Sequence, residues 1–368
     1  MKKILAVILA LIMAIGTISF VSCKKEEKGE FVVDVFFYDY TDTYISTVRS
    51  SMEEQLKKLT GVKYYFYDGK NDQTEQTKQV DTALNRGTDL IIVNIVTTGS
   101  EDAAQNIVDA AQEKDVPVMF FNREIADSVV KSYDQCCFVG TDADEAGYMQ
   151  GEMIANYLLL EGNLNKYDLN DDKKINYIML RGELGNAEAF GRTLYSVTKA
   201  NELLKNSGYT LVPSAANQKD TTQPDDGISQ FYLYGNWSRA TAKGLMDTAL
   251  SQYSLTDGSI ELIIANNDDQ ALGAVESLQD LGYNSTDKAK FIPVFGVDAT
   301  SDAKTAISAG QMVGTIKQDN VAMAKGILFF MNNVKNGKDL MADSGDYNVD
   351  KDVDKVRIPY AIYLGEEK

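Results

Sequence analysis

Two hydrophobic periods alternate along this chain. Short apolar runs of strand character occur at 32–38, 64–67, 90–95, 116–121, 137–139, 175–180, 209–212, 260–265, 291–296, 312–316 and 356–363. Between most of them lie stretches whose apolar residues recur at helical spacing, at 44–58, 72–86, 100–114, 145–160, 188–205, 238–251, 269–281, 302–309 and 321–334. Repeated β-then-α order predicts an α/β fold with parallel sheets covered by helices on both faces. Eleven strand-like runs exceed an ordinary open sheet of this kind, so two doubly wound lobes are expected. Pro117, Pro293 and Pro359 fall towards the start of their runs, where a missing N–H matters least.

Ligands of parallel α/β sheets bind beyond the carboxyl ends of the strands. Polar residues collect at those positions here. Asp39 and Asp42 follow the first run, and Asn122 and Arg123 follow Phe121. Asn266, Asn267 and Asp268 follow Ala265; Asp298 follows Val297; Gln318 and Asp319 follow Ile316. Some residues of this kind serve as helix caps, and capping by itself could account for Asn186 or Asp302. The group as a whole points to a hydroxyl-rich ligand, because amides and carboxylates bond adjacent hydroxyls in pairs.

Residues 1–22 read as a leader, with Lys2 and Lys3 before an apolar stretch and Ser22 before Cys23. The pattern predicts a lipoprotein acylated at Cys23, tethered by residues 23–30. The apolar stretch is too short and too broken by Gly16, Thr17 and Ser19 to favour a membrane span. Loss of Lys2 and Lys3 takes the formal net charge from −18 to −20. Such a charge argues against nucleic acid as a partner. The remaining chain of about 346 residues suffices for two cores. Cys136 and Cys137 are adjacent, so on a strand they point to opposite faces and read as small buried hydrophobes. The chain has no histidine, which excludes His-based triads and His metal sites.

The segment from Asp168 to Asn176 carries oxygen donors on alternate positions: Asp168, Asn170, Asp172, the Lys174 carbonyl and Asn176. That is the spacing of a calcium loop at positions 1, 3, 5, 7 and 9. Position 12, where a bidentate Glu is expected, is Met179. The loop also leads into a strand-like run, so a remote carboxylate is needed to complete a cage. A second alternating run, from Asp346 to Asp352, has Arg357 at position 12 and reads as a polar connector.

With these residues the chain resembles the bacterial galactose/glucose-binding proteins, type I periplasmic-binding proteins of sugar ABC transporters. The resemblance covers nearly all of the chain after the leader. It is strongest at 44–49, 118–122, 138–142, 168–192, 260–268 and 293–298, and most specific in the loop followed by Gly182-Glu183-Leu184-Gly185. It implies a two-lobed fold joined by a three-strand hinge, with lobes at 31–141 plus 320–356 and at 142–319 plus 357–368. It implies Glu261 as the remote calcium ligand. It also implies a sugar site of Asp42, Asn122, Asn186, Glu188, Arg192, Asn267, Asp298 and Gln318, with Tyr44 and Trp237 as aromatic plates. The physics agrees, since a pyranose has apolar C–H faces and a polar rim. The chain departs from the family pattern at Lys173 for Gly, Asn186 for His, Glu188 for Asp, Gln318 for Asn and Tyr44 for Phe. Retention of Asp42, which in the family meets the hydroxyl distinguishing glucose from galactose, implies that either epimer fits.

The resemblance further implies capture of a hexose by hinge closure on the outer side of the membrane. The expected partners are an ABC permease with its ATPase, and the chain is expected to be monomeric. A sensory lipoprotein presenting sugar to a chemoreceptor or sensor kinase is the alternative. A glycosidase using Asp42, Glu188 or Asp298 is the rival from another class. The leader, the hinge pattern and the aromatic plates favour binding over catalysis. A repressor of related fold is disfavoured, because no basic helix-turn-helix precedes Val32.

Overall fold

The computed structural model describes residues 29–365. The expected leader and Cys23 lie outside the described residues.

The first half of the chain forms β1 (Phe31–Phe37), α1 (Thr43–Leu56), β2 (Val62–Asp68), α2 (Gln73–Arg86), β3 (Leu90–Val93), α3 (Glu101–Gln112), β4 (Val118–Phe121), α4 (Asp127–Lys131) and β5 (Cys136–Gly140). There follow α5 (Glu145–Leu158), α6 (Asn163–Tyr167), β6 (Lys174–Arg181), α7 (Ala187–Leu204), β7 (Thr210–Pro213), β8 (Gln218–Lys219) and β9 (Phe231–Tyr234). Next come α8 (Arg239–Gln252), β10 (Leu262–Ala265), α9 (Asp268–Asp280), β11 (Val294–Asp298), α10 (Ser301–Ser308) and β12 (Gly314–Gln318). The chain ends with α11 (Asn320–Lys335), β13 (Asn348–Asp350), β14 (Lys355–Arg357) and β15 (Tyr360–Tyr363).

These strands make two sheets. The first is 7-stranded, in the order β13-β14-β5-β4-β3-β1-β2, and is parallel except for the β13–β14 pair. The second is 8-stranded, in the order β15-β12-β11-β10-β6-β9-β8, with β7 also on β6. Its antiparallel pairs are β12–β15 and β8–β9. In the first sheet β1 lies between β2 and β3, and in the second β6 lies between β10 and β9, so each is doubly wound with a switch point beside β1 and beside β6. The central strands are apolar throughout because helices cover both faces: every residue of β3 and of β4 is buried. Cys136 and Cys137 are free and buried, and belong to cores on opposite faces of their sheet. Burial pushes the Cys136 thiol up to about 12.

Three strand expectations need correction. The run at 356–363 is two strands, β14 in the first sheet and β15 in the second, parted at Ile358 and Pro359. Arg357, placed by sequence in the second lobe, still pairs with Gly140 of the first sheet. Pro117 and Pro293 each precede their strand instead of lying within it. The polar connector expected at 346–352 contains β13. Two more strands, β8 and β9, had no expectation at all.

The chain passes between sheets after β5, after β12 and after β14. The three passages are bonded together. The Thr141 hydroxyl donates to the Tyr360 hydroxyl at 2.8 Å, and the Gln318 amide lies 3.4 Å from Thr141 Oγ1.

Candidate functional site

The carboxyl ends of both sheets face each other across a cleft, and the loops after the strands line it. Several of these residues are fixed by a second task, the capping of the helix that follows. Asp42 precedes α1 and accepts from the Ile45 N–H at 2.7 Å. Asn186 precedes α7 and accepts from Ala189 at 2.8 Å, and Asn267 precedes α9 and accepts from Gln270 at 3.0 Å. A side-chain oxygen here satisfies an otherwise unpaired helix N–H. Asp302 is no cap: Thr300 caps α10, and Asp302 instead meets Arg239 at 3.2 Å.

Every predicted sugar-site residue lines one inner cavity: Asp42, Tyr44, Asn122, Asn186, Glu188, Arg192, Trp237, Asn267, Asp298 and Gln318. Tyr38 and Arg123 line it as well. The cavity is narrow, ≈ 50 Å³. Long arms reach into it and bond one another: Arg192 Nη2 donates to the Tyr360 hydroxyl at 3.0 Å and lies 3.5 Å from Gln318 Oε1. Outside it, and sharing Tyr38, Asp42 and Trp237 with it, opens a cleft of ≈ 610 Å³.

Three polar atoms of the inner cavity are buried without a protein partner: the Tyr44 hydroxyl, Glu188 Oε2 and Arg192 Nε. Orphaned buried groups carry a desolvation penalty of about 1–3 kcal/mol each, which a ligand's hydroxyls can relieve. Burial raises the carboxyl pKa of Glu188, and the nearby Glu124 carboxylate adds to the shift while Arg192 opposes it. Burial likewise raises Asp298 well above the usual carboxylate range, against the pull of Arg192. For Arg192 burial works against the charge, but Tyr360 and Asp298 outweigh it and the pKa is raised. Arg192 Nη1 stands 3.9 Å from Asp298 Oδ1.

Backbone strain gathers at the same place. Asn122, Trp237 and Asp298 have φ of 64°, 66° and 121°, a region that side-chain-bearing residues avoid. The Trp237 ring lies so close to Gly182 that a Cβ there would sit 2.4 Å from the ring. Glycine at 182 is therefore what allows the ring to lie against β6.

The lobes are drawn together across the cleft. Thr43 donates to Asp269 at 2.6 Å, the Glu124 N–H donates to Glu188 Oε1 at 3.0 Å, and Arg123 pairs with Glu183.

The periplasmic binding protein domain family matches residues 32–339. This chain belongs to that family. It is 33% identical to the D-galactose/methyl-galactoside binding periplasmic protein of Haemophilus influenzae, over 94% of each chain. It is 28% identical to a putative rhizopine-binding protein of Rhizobium meliloti, over 78% of this chain and 79% of the other. In fold it is similar to an ABC transporter solute-binding protein of Bacillus halodurans solved with myo-inositol, at TM-score 0.68, 23% identity and coverage of 92% and 96%.

In this periplasmic binding protein the alternating loop lies on the second lobe, between α6 and β6. Lys173, at the sharp turn, has φ of 61°, the left-handed conformation expected of position 6. Asp168 accepts from the N–H groups of Asp172 at 3.1 Å and Lys173 at 3.0 Å. Asn170 accepts from Asp172 at 3.3 Å, and Asp172 accepts from Lys174 at 2.9 Å. Glu261 is fully buried beside the loop and accepts from Leu169 and from Asn176, each at 2.7 Å. The loop thus has the fold and the hard oxygen donors that calcium takes. Its carboxylates are turned to backbone N–H groups, and among the described residues no three Asp, Glu, Cys or His side chains converge as a cage.

Sequence reasoning named Arg123 at a strand end but left it out of the expected sugar set, and missed Tyr38, which follows β1 and donates to Asp42 at 2.6 Å. The guanidinium of Arg123 lies 4.1 Å from the centre of the Tyr38 ring. Asp268 and Asp319, also singled out at strand ends, do not line the cavity. Asp268 is buried against Thr300 and Thr315, and Asp319 caps α11.

Proposed function

We propose that this periplasmic binding protein captures D-galactose and/or D-glucose outside the cytoplasmic membrane, closes its lobes over the sugar and delivers it to an ABC permease. The observation that carries the reading is the convergence of the whole expected sugar set on one inter-lobe cavity with buried, unpartnered polar atoms. The relative from Haemophilus influenzae supports a hexose. Tyr44 from one lobe and Trp237 from the other supply aromatic faces, and the amides, carboxylates and Arg192 supply the rim. Because the cavity is narrow in the closed form, entry of a ring requires the lobes to part first. Closure is then a population shift driven by contacts that only the closed form makes.

Binding, not catalysis, fits the site. Asp42 is committed as a helix cap and as acceptor of the Tyr38 hydroxyl, which leaves it poorly placed to exchange protons with a glycosidic oxygen. In this reading Cys23 carries a lipid that holds the protein at the membrane. Among the described residues no helix is long and apolar enough to cross a bilayer. Calcium would be held by Asp168, Asn170, Asp172, the Lys174 carbonyl, Asn176 and Glu261, bracing the second lobe without chemistry.

The test is calorimetric titration of the chain from Lys24 onward with D-glucose, D-galactose and D-ribose, after unfolding and refolding in calcium buffer. Binding of either hexose with ribose silent is the expected result. Ribose binding in place of a hexose, or no heat from any of them, would overturn the assignment.

A further inference from the structure

We propose that the outer cleft is a second sugar subsite, so that the ligand is a disaccharide or a glycoside with a sugar-sized substituent. One ring would sit in the inner cavity and the other between the lips of the lobes. The proposal rests on the sugar-binding reading above and extends it.

Room is the first argument. The inner cavity is lined by the whole expected sugar set, and the adjoining outer cleft of ≈ 610 Å³ by itself has the size of a small-ligand pocket. The two adjoin at Tyr38, Asp42 and Trp237, which line both.

Backbone conformation is the second. Each lip carries a pair of consecutive left-handed residues without being glycine. On the first lobe these are Lys70 and Asn71, with φ of 52° and 53°, just after β2. On the second they are Asn236 and Trp237, with φ of 47° and 66°, just after β9. Strained conformations persist where the surroundings over-determine them, and they cluster at ligand clamps. Here they bring an Asn amide to each side of the opening.

Chemistry is the third. The charged groups of the outer cleft are already engaged. Asp39 accepts from the N–H and hydroxyl of Thr41, each at 2.7 Å, Asp269 accepts from Thr43, and Glu183 pairs with Arg123. Arg239 is held by Glu276 and Asp302. The exposed residues among its lining are neutral: Thr41, Asn71, Tyr234, Asn236 and Ala240. Tyr234 is 39% exposed, and its hydroxyl donates to Asn236 at 3.1 Å. An exposed aromatic face beside the Asn236 amide, in a cleft that Asn71 also lines, suits a second sugar ring better than an ionic ligand.

The experiment titrates the chain from Lys24 onward with D-glucose and D-galactose, then with lactose, melibiose, cellobiose and maltose. Tyr234→Ala and Asn71→Gly are titrated in parallel; the second removes the amide while keeping a left-handed backbone favourable. At least one disaccharide is expected to bind tenfold or more tightly than the free hexoses. Each substitution should remove most of that advantage and leave hexose affinity unchanged. Hexose binding with all four disaccharides weaker would overturn the second subsite and leave the hexose reading standing. A disaccharide advantage that survives both substitutions would also overturn it. Silence from hexoses and disaccharides alike would remove the sugar reading and this proposal together.

Discussion

The guanidinium of Arg192, inside the cavity, donates to the hydroxyl of Tyr360, in the last passage between the lobes, at 3.0 Å. The same hydroxyl accepts from Thr141 in the first passage. A residue that faces ligand is thereby bonded to two of the three segments about which the lobes must turn. Tyr360→Phe keeps the ring but removes the acceptor from two buried donors. Orphaned buried donors cost about 1–3 kcal/mol, so a loss of stability of that order is expected in chemical denaturation. Hexose affinity should fall about tenfold, the equivalent of about 1.4 kcal/mol. A variant that matches the parent in both measurements would show that the bond does not couple cavity and hinge.

Arg123 and Glu183 pair across the cleft, one from each lobe. Arg123 also donates to the carbonyls of Ile95 and Val96 in its own lobe, so it stays anchored without Glu183. Glu183→Gln should therefore leave the fold intact while weakening closure. Removing one partner of a buried charge pair acts mainly on dissociation. Stopped-flow measurement should show sugar leaving about tenfold faster, and small-angle scattering should show a larger radius for the ligand-free protein. Unchanged dissociation would mean that the pair forms equally in the open and closed forms.

Glu188 sets a pH dependence. Burial, with Glu124 nearby, raises its pKa in the folded state. The unfolded chain then ionises first as pH rises, and binds fewer protons than the folded one over the interval between the two values. The contribution of Glu188 to stability is thus flat below the ordinary carboxylate range and falls as pH rises through the raised folded value. Glu188→Gln removes this term, so the ligand-free variant should gain on the parent as pH rises above the ordinary carboxylate range. Parallel stability curves for parent and variant would contradict it.

Calcium, if held by the Asp168 loop and Glu261, binds only the folded chain and must stabilise it. A chelator should lower the melting temperature, and Asp168→Asn should abolish the difference between chelated and calcium-loaded samples. Lys173→Gly should raise the melting temperature by relieving a left-handed backbone worth about 1 kcal/mol. Melting curves that ignore both chelator and calcium would leave the loop as a hydrogen-bonded turn.

Much of this architecture could be read in advance because burial imposes its own period. Strands such as β3, β4 and β10 are covered on both faces and are apolar along their whole length. Capping was legible only in part: Asn186 supplies the oxygen that a helix following a strand needs at its first free N–H, whereas Asp302 does not, and Asp42 and Asn267, read as ligand contacts, cap as well. The strands that escaped notice lie at or near sheet edges. Gln218 and Lys219 of β8 are exposed, and so are Asn348 and Asp350 of β13. Exposed edge residues need no hydrophobic pattern, because a neighbouring strand pairs with their backbone and not their side chains.

The sequence by itself determined the order of elements, the two-lobed class and the polar residues offered at the strand ends. Only the tertiary structure decided which of those residues meet. Arg123 and Glu183 are distant in sequence and join because two sheets face each other. Tyr38 enters the cavity because the strand it follows ends beside the switch point. Asp268, as polar as its neighbours, turns inward to Thr300 and Thr315. Periodicity records how a segment divides between water and core, which is a local property. The division of a cleft into a narrow inner cavity and a wide outer one depends on the distance and angle between two separately folded sheets, and no single segment contains either.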